Sequence, residues 1–346
     1  MRDNMSNAAG IQTAIAKGWR PNRYLSNMSL AAFADTSEFV ATRIFPICPV
    51  SLSTGYYYTF DRGDLVRDYM ERKPKFGKVA PVEIGHSDNT YKCFVDQIIT
   101  GIDQIGTVNS ERAGVPASVD PRRSKARFIA TQTQLHLEVL FAKHFFQTGV
   151  WDNEFTGIAS GGASPNSEQF IKFDDANSDP IKFFDTRKRE IKLRGGRVPN
   201  KLTLGYDTFN ALKEHPDLLE RVKYTGSTAN PAQVNERVLA ELFGFEQVSV
   251  LQAAYNKAEE GQETEMEFIC DPKGALLSYA PPAPRIDEPS AGYIFAWDPF
   301  GNGSWIFTDQ FEGEGGTHSE YIEGLTATDM KKTCDDLACY CASCCD

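Results

Sequence analysis

The residues best equipped for chemistry crowd the C-terminal end. Cys334, Cys339, Cys341, Cys344 and Cys345 lie there, whereas Cys48, Cys93 and Cys270 are scattered. Thiolates at this spacing can bind zinc or iron. However, one C-x-x-C (Cys341 and Cys344) beside an adjacent cysteine pair lacks the second C-x-x-C of a structural zinc site. Disulfides formed on exposure to oxidant are a second reading. The third is plain packing: Cys334, Ala338, Cys341 and Cys345 recur at helical spacing, and cysteine packs as a small apolar residue. Packing is favoured, which predicts a helix with these residues on one face.

Other candidate motifs fail on their own terms. His136-Leu137-Glu138 matches the H-x-E of zinc deaminases, but no P-C-x-x-C follows it. His136 and His144 are eight residues apart, not the four of H-E-x-x-H, and are expected to be packed or hydrogen-bonded along a helix. Asp175 to Asp179 imitates the start of a calcium loop, yet Pro180 replaces the glycine and Thr186 stands where the bidentate glutamate belongs. Neither a phosphate-binding loop nor a G-x-S-x-G elbow is present, and Gly301-Asn302-Gly303 lacks the third glycine of a dinucleotide site. No catalytic residue, cofactor or metal ligand is assigned, and the chain is expected not to be an enzyme.

Two basic runs remain. Arg122, Arg123, Lys125 and Arg127 open a helix at the end where the macrodipole disfavours cations; a solvated face is the favoured reading, and partner carboxylates within or between subunits are the other. Arg187, Lys188, Arg189, Lys192, Arg194, Arg197 and Lys201 form the second run, expected to be a solvated helix face. The 346 residues carry a formal charge of −11 and a pI near 5.1, so nucleic acid is not the main ligand. Mean hydropathy of −0.38 and the lack of any long apolar run argue against a membrane-spanning helix, and no secretory signal is read at the N-terminus, so reduced thiols are expected.

The elements that must position these groups are irregular in order. After a short Ala-rich stretch at Ala8–Lys17, Phe33–Val50 reads as short extended pieces around Pro46 and Pro49. Tyr56, Tyr58 and Phe60 alternate on one strand face, as do Tyr91, Cys93 and Val95. Between them, Asp61–Asn89 is dense in charge and punctuated by Gly and Pro, predicting a long two-stranded flap that needs a partner surface. Asp120-Pro121 starts a spine helix running to about Thr148, with Phe128, Leu135, Val139, Ala142 and Phe146 as its apolar stripe. Helices are predicted at Asp179–Gly195, Tyr206–Glu214, Asp217–Val222 and Pro231–Phe243. Strands are predicted at Asn200–Gly205, Gln247–Leu251, Met266–Ile269, Ala275–Tyr279, Tyr293–Trp297, Ser304–Gln310 and Ser319–Ile322. Helices and strands mix without βαβ alternation, so the class is α+β.

This order resembles the major capsid proteins of tailed bacteriophages. The echoes are Pro46-Ile47-Cys48-Pro49-Val50 before Gly55–Phe60, the spine ending Phe145–Trp151, and Pro199–Gly205 leading to His215-Pro216 and Leu239–Gly244. The resemblance implies a coat-protein fold with a long spine helix, an extended β-hairpin E-loop and a mixed α/β axial domain. It divides the chain into an N-terminal arm (1–50), the E-loop (51–105), a peripheral domain (106–178 and 296–325) and an axial domain with the Cys-rich tail (179–295 and 326–346). It implies self-assembly through hexamers and pentamers into an icosahedral head shell around double-stranded DNA, bound without sequence preference. A scaffolding protein, a portal and a maturation protease are implied partners, with no membrane. Assembly in the host cytoplasm would lead to a place in the virion. Arg67, Arg72, Lys73, Lys75, Arg122 and Arg123 are the expected subunit contacts. Within the same fold the competitor is an encapsulin-type compartment; from another class it is a metal or redox protein using the C-terminal thiols.

Overall fold

The structure is a computed structural model. It describes residues 39–59, 68, 70–73, 75–77, 87–104, 121–160, 165–225, 234–258, 261–284, 288–299, 306–313 and 318–346. The Ala8–Lys17 stretch, Phe60 and Arg67 lie outside these residues.

Two sheets carry the fold. In the first, β1 (Ile47–Val50), β12 (Gly292–Trp297), β14 (Ser319–Lys332) and β13 (Ile306–Glu312) are neighbours in that order, and β4 (Phe94–Asp103) also pairs with β14. The second sheet runs β6 (Gln169–Ile171), β5 (Glu154–Ile158), β15 (Ala338–Ala342), β11 (Ala275–Ser278), β7 (Lys201–Gly205), β8 (Gln247–Leu251). Two small ribbons, β2 (Thr54–Thr59) with β3 (Ser87–Lys92) and β9 (Ala254–Asn256) with β10 (Met266–Phe268), complete the strands. The mixture is α+β, as the sequence predicts. β12 and β14 run across the expected domain boundaries at 295/296 and 325/326.

The helices follow their caps. In α3 (Pro180–Gly195), Asp179 accepts the Lys182 N–H at 3.0 Å, Pro180 needs no partner in the first turn, and Gly196 ends the helix at φ 71°. In α6 (Glu236–Phe243), Asn235 caps the start and Gly244 closes it at φ 66°. These two helices, with α4 (Tyr206–Glu214) and α5 (Pro216–Thr225), pack through Phe184, Ile191, Leu212, Leu218, Leu239 and Phe243. They cover one face of the second sheet, meeting Leu202, Leu204, Leu277, Cys339 and Cys341. The opposite face, with Leu276, Ala338, Tyr340 and Ala342, packs on the C-terminal end of α2 (Pro121–Phe145) through Phe141, Phe145 and Phe146.

Three expectations are corrected. The tail is not a helix: Ala338–Ala342 is an inner strand of the second sheet. Both faces of that strand are buried, so its residues show no polar alternation, and the cysteine spacing imitates a helix period. Of the predicted stripe Phe146 is buried and Ala142 packs against the core, but the buried face of the spine runs through Ala126, Ile129, Ala130, Thr133, Gln134, Leu137, Glu138, Phe141 and Phe145, while Phe128 is 48% exposed. Three polar residues on the buried side disguised it. Within the expected extended pieces before β1, Ala41–Ile44 is a short helix, α1.

Candidate assembly surfaces

The flap begins on a firmly anchored base. β2 and β3 pair from Thr54↔Lys92 to Thr59↔Ser87, in the two segments whose alternation predicted strands. Alternation turns Tyr57 and Tyr91 inward, where their rings lie 5.2 and 4.6 Å from Phe295 of β12. Each hydroxyl donates to a carbonyl at 3.4 Å, Tyr57 to Lys332 and Tyr91 to Leu52. Burial, with Asp329 adding to it, pushes the Tyr57 phenol up to about 12. The Lys92 N–H donates to the Asp329 carboxylate at 2.8 Å, tying β3 to β14.

The outer face of the ribbon is unlike the inner one. Tyr56 and Tyr58 are 77% and 42% exposed. They line a groove of about 820 Å³ with Cys48 of β1, Tyr293 and Phe295 of β12, and Asp88 of β3. Beyond the last ribbon pair, Met70 and Phe76 are 91% and 96% exposed. Phe76 takes a left-handed backbone (φ 66°), and Lys75 Nζ lies 5.6 Å from the centre of its ring. Arg72, Lys73 and Lys75 are exposed around it.

The spine arginines separate. Arg122 forms a two-pronged pair with Glu320 of β14, Nε to Oε1 and Nη2 to Oε2 both at 2.8 Å, and the Glu320 side chain is only 7% exposed. For Arg122 the partner-carboxylate reading holds, and the carboxylate is supplied within the chain, because β14 runs beside the first turns of α2. Arg123 is exposed. His136 lies 3.2 Å from Asp96 of β4, whose carboxylate raises its pKa. The second basic run is only partly a solvated face. The Arg187 guanidinium lies 3.9 Å from the Phe155 ring centre and pairs with Glu190, and Lys188 pairs with Asp185, whereas Arg189, Lys192 and Arg197 are exposed.

Sequence reasoning missed a polar clamp. Glu138 is buried, and its Oε2 accepts the N–H groups of Val40 at 3.2 Å and Ala41 at 2.9 Å. Burial raises its carboxyl to about 7, against the two hydrogen bonds. Lys201 Nζ donates to the carbonyls of Arg43 and Ile44 at 2.8 and 2.6 Å, and burial lowers its ammonium to about 8. A glutamate on the inward face of a long helix was the one available signal. The cysteine cluster is hydrophobic in setting: burial pushes the Cys341 and Cys344 thiols well up, and the Cys344 Sγ donates to the Cys341 carbonyl at 3.5 Å. Among the described residues, no group of three or more His, Cys, Asp or Glu side chains is arranged to hold a metal ion.

No family model matches the chain. In sequence, 96 residues are 32% identical to the Major capsid protein of Burkholderia phage BcepMu. The matched segment is 28% of this chain and spans 30% of the length of that relative. In structure, the chain superposes on a phage-related protein from Bordetella bronchiseptica RB50 with a TM-score of 0.71 at 18% identity, over 94% of this chain and 97% of the other. The asymmetric unit of the bacteriophage PhiM1 mature capsid is a more distant likeness, with a TM-score of 0.46 at 11% identity over 89% and 87% of the two chains. The chain shares the α+β fold of the Bordetella phage-related protein. In a stretch of sequence the chain is similar to the major capsid protein of a bacteriophage, and in fold to a phage-related protein.

Proposed function

We propose that this chain is a major capsid subunit, a structural protein that self-assembles into the icosahedral head shell enclosing a phage genome. One observation carries the reading: a 96-residue likeness to a capsid protein falls within a chain that superposes on a phage-related protein over 94% of its length. The exposed apolar and cationic groups of the flap support it, since such groups need a second surface to cover them.

In this reading residues 51–105 are the E-loop, and Arg67, Arg72, Lys73, Lys75 and Arg123 contact neighbouring subunits, with Arg122 turned to its own Glu320. The subunits gather into hexamers and pentamers, guided by a scaffolding protein and completed by a portal and a maturation protease. Packaged double-stranded DNA is met without base reading, consistent with the acidic balance of the chain. Assembly takes place in the host cytoplasm and the finished shell belongs to the virion. Expression of the full chain followed by negative-stain microscopy tests the reading. Closed particles are expected. A monodisperse monomer under every salt and crowding condition would overturn it.

A further inference from the structure

Helix α3 concentrates positive charge in an acidic chain. Eight cations and two carboxylates lie between Lys182 and Lys201, a local charge of +6 where the whole chain carries −11. The inward cations are engaged within the subunit. Arg187 pairs with Glu190 at 2.8 Å and lies over the Phe155 ring, Lys188 pairs with Asp185 at 2.8 Å, and Lys201 donates to the Arg43 and Ile44 carbonyls. Both carboxylates of the helix are thereby taken. Lys182, Arg189 and Lys192 remain on the exposed side, and Arg197 follows just past the Gly196 cap. Among the described residues, no ion pair engages any of these four. Lys182, Arg189 and Lys192 share one helix face over a length of about 15 Å, at 1.5 Å per residue.

Resting on the shell-subunit reading, we propose that this strip binds the phosphate backbone of duplex DNA and is the place where an acidic subunit touches the packaged genome. Duplex DNA carries one negative charge per about 1.7 Å of its axis, so a row of cations about 15 Å long meets several phosphates. Lysine meets a phosphate as a point charge and arginine as a planar fork, and neither contact reads the base sequence. The rest of the chain has the opposite balance of charge and repels DNA, which confines the contact to the strip. Leu193, 62% exposed, lies on the same face. It makes an acidic protein segment with an apolar residue the competing occupant, and four uncompensated cations against one leucine favour the polyphosphate.

The test is fluorescence anisotropy of a short labelled duplex, titrated with the full chain as free subunits separated from particles by gel filtration. Affinity should fall with salt, log K against log salt sloping at about −3 to −4 for four phosphate contacts. Arg189→Ala with Lys192→Ala should flatten the slope by about 2 and weaken binding at least tenfold, equally for two duplexes of unrelated sequence. Arg237→Ala with Lys257→Ala removes the same net charge, but from exposed cations already paired with Glu241 and Glu267, and should leave slope and affinity unchanged. Both double variants alter exposed side chains and should melt with wild type. Wild type that fails to bind at low salt, an unchanged slope in the α3 double variant, or an equal loss in the control would overturn the proposal. Poly-glutamate displacing the duplex at equal charge concentration would assign the strip to an acidic protein segment and overturn it too. The anisotropy reads the strip on the free subunit whether or not particles close, and the micrograph judges the shell reading separately, so the two failures are distinguishable.

Discussion

Glu138 and Lys201 grip opposite ends of the same four-residue helix. Glu138, from the spine, accepts the N–H groups at the start of α1; Lys201, from the second sheet, donates to the carbonyls at its end. Both charges have the sign that suits the exposed peptide groups they meet. The segment entering β1 is thereby fixed between the two layers of the subunit, with Ile44 and Phe45 buried in their shared core.

This clamp predicts a stability minimum near neutrality. The Glu138 carboxyl is raised from 4.5 to about 7 when folded, so between those values the native state holds a proton that the unfolded chain has lost. Its contribution to stability therefore falls as pH rises through that window, then levels off. Lys201 is lowered from 10.5 to about 8, so above about 8 the unfolded chain holds the extra proton and stability recovers with rising pH. Urea midpoints between pH 5 and 9.5 should dip between about 7 and 8. Glu138→Gln keeps an acceptor for the two N–H groups and should remove the acid limb; an unchanged limb would assign it to another group.

Arg122→Ala should destabilise the subunit before it affects assembly. Glu320 would be left nearly buried without its guanidinium, but Arg122 is half exposed and solvent screens the pair. The expected loss is about 1–2 kcal/mol, above the surface median because the geometry is two-pronged. A double-mutant cycle with Glu320→Gln should recover most of it as coupling. Additive single effects would mean that the pair contributes nothing.

Gly324 sets how closely the spine lies on β14. A Cβ there would stand 2.2 Å from Cγ2 of Ile129, a fully buried side chain. Gly324→Ala should cost about 1–3 kcal/mol by overpacking. Combined with Ile129→Ala, the loss should be smaller than the sum of the two single losses, since each change makes room for the other. Strict additivity in thermal or urea unfolding would refute the contact.

The sequence made some of this legible and hid the rest for identifiable reasons. Caps are local, so Asp179-Pro180 and Gly196, or Asn235 and Gly244, announce their helices without reference to the fold. The alternation of Tyr56 and Tyr58, and of Tyr91, likewise announced the two ribbon strands, while their register followed only from the pairing of Thr54 with Lys92. The tail strand was hidden because Ala338–Ala342 is buried on both faces, and the spine face because Glu138 and Gln134 lie inward. The partner of Arg122 is 198 residues away and the groove draws on β1, β2, β3 and β12, so no local pattern could assemble either.

The cysteine cluster should behave as core. Cys339, Cys341 and Cys344 lie among Phe184, Ile191 and Phe243. Serine at all three positions would bury hydroxyls at a cost of about 1–3 kcal/mol each where no partner is found. Alanine removes one sulfur and adds no polar group, so the triple Ala variant should melt well above the triple Ser variant. Equal melting temperatures would point to a role for the thiols beyond packing. Thiol titration of the native protein should reach Cys48 before these three.

The flap should be dispensable for folding and indispensable for closure. Its anchor is the inner face of the ribbon, where Tyr57 and Tyr91 pack on Phe295, and that face is complete by Thr59 and Ser87. The tip residues Met70 and Phe76 add almost nothing to the subunit's own core, being more than nine-tenths exposed. Replacing residues 60–86 with a short Gly-Ser turn keeps the six ribbon pairs and shortens the loop that links them, which lowers the entropy cost of closing it. The shortened chain should therefore show the far-ultraviolet circular dichroism of a folded α+β protein and melt within a few degrees of wild type. In sedimentation it should remain small where the full chain forms particles, because the surface that covers a neighbour is gone. A shortened protein that unfolds would place the flap inside the subunit's own core. One that still closes into particles would show that the contacts between copies lie elsewhere.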